Sequence, residues 1–227
     1  VDDSIQHIQQ RMLDYEQVLA GVRGLFAASS TVERREFRDF VAALNIEKSF
    51  PGVQSVGWVE MVTAAQKKAH IDAIRREGFP DYTIKPPGER ELYAVVVYVE
   101  PFQGRNMRAF GQDHYVDPVR RHTINLARDL NAVFISGKVK LAQETDQRVQ
   151  AGFQMALPVY KSGIPPTMVD ERRKQFIGLV GSSFRMGDLM RGILGPHSKN
   201  SDIYIEIYDG EDIAEPALMH DAYGVLQ

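Results

Sequence analysis

The stretch from Tyr93 to Arg121, YAVVVYVEPFQGRNMRAFGQDHYVDPVRR, decides how the chain is read. Its β-branched run, Val95 to Val97, predicts a buried strand over Tyr93–Glu100. The strand leaves through Glu100-Pro101-Phe102 and Gly104-Arg105-Asn106. A turn at Gly111-Gln112-Asp113 follows. Asp117 as N-cap and Pro118 at the first helical position then open a helix with Val119, Thr123, Leu126, Ala127 and Leu130 on its buried face.

Upstream, Ile8, Met12, Tyr15, Leu19, Val22 and Phe26 alternate in steps of four and three. This heptad seam predicts a long helix beginning near Ile5, either a stalk that pairs with a second copy or a helix packed on its own domain. Ser30 and Glu33 predict a capping box for a second helix with Phe37, Phe40, Val41 and Leu44 on one face. Val53 to Met61 alternates as a strand, and Thr63 with Gln66 opens a polar helix that Gly78 stops.

Downstream, strands are expected at Val133–Ile135, Val139–Leu141 and Phe153–Tyr160, where Phe153, Met155 and Leu157 share one face and Gln154 and Ala156 the other. Ser162 to Arg173, with two prolines and the start of a charge run, is expected to be a linker. Beyond it lie a strand from Phe176 to Ser182, a helix from Met186 to Leu194 and a strand from Ile203 to Tyr208.

Composition sets limits on function. A net charge of −3 with mixed signs provides no basic stripe for nucleic acid. The absence of cysteine excludes disulfides and thiolate chemistry. No apolar run reaches the roughly 18–20 residues of a membrane span. The six histidines show no ligand spacing, and phosphate loops, dinucleotide fingerprints and nucleophile elbows are missing, so neither metal, cofactor nor catalysis is expected. Gly181-Ser182-Ser183 reads as a turn or helix cap.

The Tyr93–Arg121 order of parts, with Ala151 to Tyr160 (AGFQMALPVY) and Phe184 to Leu189 (FRMGDL), resembles the CHASE domain, the extracytoplasmic sensor of bacterial and plant histidine kinases and nucleotide cyclases. The resemblance implies an α+β fold: a long stalk helix and second helix over 1–48, a membrane-distal PAS-like ligand-binding subdomain over 49–165, and a membrane-proximal PAS-like subdomain over 166–227. It implies a periplasmic receptor segment with flanking transmembrane helices, homodimeric through the stalk, reporting a small-molecule ligand to a cytoplasmic histidine kinase or diguanylate cyclase. A periplasmic module that senses a partner protein is the alternative.

A ligand pocket needs apolar lining and a few orienting polar groups. Trp58, Tyr98 and Tyr160 are the candidate aromatics, with Glu100, Asp113, Arg120 and Gln154 as polar contributors. For Trp58 a plain core position is equally open. The plant cytokinin receptors of this family read adenine through an aspartate early in the helix and a threonine on the later strand. Arg120 and Ala156 match those positions, which implies a ligand carrying a carboxylate or phosphate instead of an adenine.

Overall fold

The computed structural model describes residues 2–145, 149–195 and 205–221. Helix α1 (Asp2–Ala28) is followed by α2 (Arg34–Ala43), the single turn α3 (Ile46–Ser49), β1 (Val53–Thr63), α4 (Lys67–Arg76) and β2 (Leu92–Glu100). Two 3-10 segments, Gly104–Ala109 and His114–Val116, lead to α5 (Pro118–Leu130). Then come β3 (Phe134–Ile135), β4 (Gly152–Tyr160), α6 (Val169–Gln175), β5 (Phe176–Arg185), α7 (Met186–Leu194), β6 (Glu206–Tyr208) and β7 (Leu218–Asp221). This is the expected α+β architecture of a long N-terminal helix before antiparallel sheet.

The caps are met in part. Asp117 accepts from the amides of Val119 and Arg120 and Gln66 reaches back to the Thr63 amide. Glu33, not Ser30, stands at the start of α2, and it makes no side-chain cap.

Five antiparallel strands form one sheet in the order β2-β1-β5-β4-β3. This topology moves the expected domain boundary. A break at 165/166 falls between β4 and β5, which pair from Gly152↔Arg185 to Tyr160↔Phe176. β5 also pairs with β1, so it completes the five-stranded sheet instead of starting a second one. The stretch 162–173 is therefore the β4–β5 connection, its charges carried by the exposed α6. After β5 the described residues supply α7 and the two-stranded sheet β6-β7. Ile203 and Tyr204 of the expected last strand lie outside the described residues. Val139–Leu141 is no strand but a single bridge, Val139↔Gly152.

The heptad seam of α1 serves the domain's own core. Tyr15, Leu19 and Val22 are buried with Val56, Val62, Tyr93, Val95, Phe153, Val180 and Phe184 from one face of the sheet. Phe153 and Phe184 stack at 4.7 Å, and Tyr15 packs 5.1 Å from Phe184. Burial pushes the Tyr15 hydroxyl up to about 12, and it donates to the Pro51 carbonyl. Ile5 and Leu13, on the outer side of α1, remain exposed.

The opposite face carries a smaller apolar cluster. Val59, Ala94, Val96, Ala156 and Leu179 meet Ile124 and Ala127 of α5 there. Gly111 holds the entry to this layer. Its φ of +81° and a Cβ that would lie 2.5 Å from the Thr83 carbonyl require glycine.

Candidate functional site

Between that second face and its cover of 3-10 segments, α5 and residues 136–144 lies a cavity of about 550 Å³. Its floor is Gly57 and Val59 on β1, Val96 on β2, Leu179 and Gly181 on β5, and Gln154 and Ala156 on β4. Its walls carry Lys85, Arg108, Gln112, His114, Arg120, Thr123, Ser136, Lys140, Gln143 and Ser183. Size and lining fit a small-molecule site.

Of the expected site residues, Arg120, Gln154 and Ala156 face this cavity together. Asp117 orients Arg120 through a 2.8 Å ion pair. The guanidinium also donates to the Gln154 side-chain oxygen at 3.0 Å and to the Lys140 carbonyl at 2.7 Å. Three of its five N–H groups are thereby used, and two remain. Gln154 in turn donates to the Ser183 hydroxyl. The alternation that set Gln154 and Ala156 apart from Phe153 and Met155 thus places a polar pair over an apolar sheet.

Asp113 borders the cavity, but its carboxyl is turned away. Its side chain is fully buried, and Oδ1 accepts from the amides of Ala94 and Tyr115. Oδ2 lies 3.6 Å from Arg90 and accepts no hydrogen bond. Asp113 locks the turn after the Gly104–Ala109 segment onto β2.

Trp58, Tyr98, Glu100 and Tyr160 are corrected. Trp58 stacks on Phe26 of α1 at 4.3 Å, on the helix side of the sheet. A bulge then breaks the strand alternation: Trp58 pairs with Tyr98 and Val59 with Val96, leaving Val97 as the extra residue. The slip turns Tyr98 to the helix side, where it meets Phe37 and donates to the Val32 carbonyl. It also sends Glu100 to a separate cavity of about 200 Å³ beside Arg38, Val41 and Asn45. There burial raises its carboxyl above the ordinary range. Tyr160 lies beyond the cavity and donates to the Arg128 carbonyl at 2.6 Å.

Sequence reasoning missed much of the wall. Lys85, Arg108 and Lys140 sit in loops and 3-10 turns, where no periodicity marks direction. His114 directly follows the Gly111-Gln112-Asp113 turn. Burial, with Arg120 nearby, lowers its imidazole to about 3, so it is neutral at physiological pH. Burial also lowers the Lys85 amine. Ser183, read as a cap, is a mid-sheet residue whose phase with Leu179 and Gly181 was available in the alternation of β5.

The electrostatics are one-sided. The cavity is bordered by Lys85, Arg108, Arg120 and Lys140 and by two carboxylates, Asp113 and Glu144. Glu144 is fully buried and paired with Arg185 at 2.5 Å, and Asp113 is committed as above. Lys85, Arg108 and Lys140 have no acidic partner among the described residues. Among these residues, too, no three histidines or acids converge on a metal position.

A small-molecule cavity on one face of an antiparallel sheet, with a long helix on the other, defines a ligand-sensing α+β domain. The CHASE domain family matches residues 30–220, and the chain belongs to it. It is an extracytoplasmic sensor domain. The fold is similar to the ligand-binding domain of the Pseudomonas aeruginosa PAO1 amino acid chemoreceptor PctC in complex with GABA, with 11% identity and a TM-score of 0.53. That match covers 96% of this chain and 71% of the other. The periplasmic sensory domain of the Campylobacter jejuni chemoreceptor Tlp1 matches with 12% identity and a TM-score of 0.52, covering 97% and 72%. No helix among the described residues is long and apolar enough to cross a membrane.

Proposed function

We propose that the chain is the ligand-sensing part of a transmembrane receptor, that it binds a small anionic molecule in the 550 Å³ cavity, and that it reports to a cytoplasmic histidine kinase or diguanylate cyclase. The observation that carries this reading is the surplus of cations around a cavity whose two bordering carboxylates are already engaged. A guanidinium with two free N–H groups and a fixed orientation is suited to a carboxylate or phosphate. The solved relative that holds GABA, a carboxylate-bearing ligand, supports a site of this kind.

The segment 136–144 offers a route outward. Lys138 donates to the carbonyls of Pro216 and Leu218, and its amide to Asp209, so this cavity wall is clamped to β6-β7. Glu144 binds the same wall to Arg185 at the head of α7. Since α7 packs on α1, closure over a ligand biases the stalk. Pairing of two stalks uses the outer side of α1, with Ile5 and Leu13, because the inner seam is occupied. The open cavity weighs against a module that senses a partner protein, for which a site filled by its own side chains is expected.

The test is the melting temperature of the protein against a panel of carboxylates, sugar phosphates, amino acids and adenine-type cytokinins. An acidic compound at about a hundred times its dissociation constant adds roughly 2.7 kcal/mol. A shift with acids that Arg120→Ala removes supports the reading. A response to cytokinins alone, or full acid binding by Arg120→Ala, overturns it.

A further inference from the structure

The four cations around the cavity are not one patch. Arg120 and Lys140 stand together on the β4 side, joined by the bond from the guanidinium to the Lys140 carbonyl. Lys85 and Arg108 both line the cavity, on backbone segments that meet through Gln112 on the β2 side. The Lys85 amide donates to the Gly111 carbonyl, Lys85 bridges to Gln112, and the Gln112 side chain donates to the Arg108 carbonyl. The floor between the two pairs crosses β1 and β5 and is uncharged, with Gly57, Val59, Leu179 and Gly181. From β2 to β4 in the sheet order are three strand intervals, roughly 14 Å.

We infer that Lys85 and Arg108 form a second anion-binding pole opposite Arg120 and Lys140, so that the ligand is a dianion with its charges at two ends of an apolar middle. This deepens the proposed function and rests on it. A single carboxylate uses the Arg120 pole and leaves the other two cations unanswered. Lys85 carries the argument best, since it keeps a partly buried amine beside the cavity with no acidic partner among the described residues. The apolar floor, under Ile124 of α5, suits an aliphatic or aromatic spacer and not a sugar ring. Dicarboxylates and phosphorylated acids both meet this description, and the probes separate them.

The experiment is titration calorimetry of the protein with glutarate, adipate, terephthalate and 3-phosphoglycerate, each beside the monoanion that lacks its second acidic group: butyrate, pentanoate, benzoate and glycerate. The best dianion is expected to bind about 10-fold or more tightly than its monoanion, the scale of one charge-assisted contact. Lys85→Met, which keeps the aliphatic stem, removes most of that preference, lowering the affinity for the dianion more than that for its monoanion. Arg120→Ala weakens both. Equal binding of dianion and monoanion, or discrimination that survives the Lys85→Met, Arg108→Gln double variant, overturns the second pole while leaving anion sensing intact. No binding by any of the eight compounds overturns the second pole and the proposed function together.

Discussion

Replacing His114 with glutamine changes how the domain responds to acid. The imidazole sits in the cavity wall with its proton affinity lowered from 6.5 to about 3, first by burial and then by the Arg120 guanidinium. Below pH 6.5 the unfolded chain takes up a proton that the folded chain refuses. Stability therefore falls with decreasing pH, and the loss levels off only near pH 3, where the folded imidazole also protonates. Each pH unit in that window is worth up to about 1.4 kcal/mol. Between pH 6.5 and pH 5 the upper bound is about 2 kcal/mol, and His114 is partly exposed, so about half of it is retained after screening. Glutamine does not titrate. Urea unfolding at pH 7, 6 and 5 should show the parent losing about 1 kcal/mol more than His114→Gln over this range, a difference of about 2–4 °C in Tm. Parallel losses in the two proteins would refute the placement of a neutral imidazole in the wall.

Two further substitutions separate the halves of the sheet. Trp58→Ala removes the ring stacked on Phe26 and should cost about 3–5 kcal/mol of stability, while ligand affinity measured well below the melting point stays unchanged; a selective loss of binding would return Trp58 to the site. Glu144→Gln unpairs a buried carboxylate from Arg185, which keeps its bond to Asp188. The cost should lie at the low end for buried pairs, about 3 kcal/mol, seen as a Tm lower by about 6–12 °C. A fall of under about 2 °C would show that the clamp on the cavity wall carries no tension.

The fold was legible where periodicity was long. The seam from Ile8 to Phe26, the proline-started α5 and the alternation of β4 each fixed an element and its buried side. What a seam cannot say is whether its partner is another chain or the domain's own sheet, and here Tyr15, Leu19 and Val22 chose the sheet. The domain boundary was misread because glycine, prolines and charges at 162–174 look alike in a linker and in a hairpin connection. Only the pairing of β5 with both β1 and β4 distinguishes them. In the site, Arg120 and Gln154 were readable from helix start and strand phase. Tyr98 and Glu100 were not, because a one-residue bulge at Val97 reverses every face after it. Lys85, Arg108 and Lys140 lie in segments with no period, so only the tertiary path brings them to one cavity.

If ligand occupies the cavity on the side of the sheet away from α1, a substitution at Ala156 should block it. Ala156 is buried in the floor and lines the 550 Å³ cavity, so a larger side chain there takes up space that the ligand needs. Melting curves of the parent and of Ala156→Leu should be recorded with and without the dicarboxylate and phosphate probes. A ligand-induced rise is expected in the parent and none in Ala156→Leu, whose unliganded melting temperature stays within a few degrees of the parent's. An equal rise in both proteins, or none in either, would contradict that placement of the ligand.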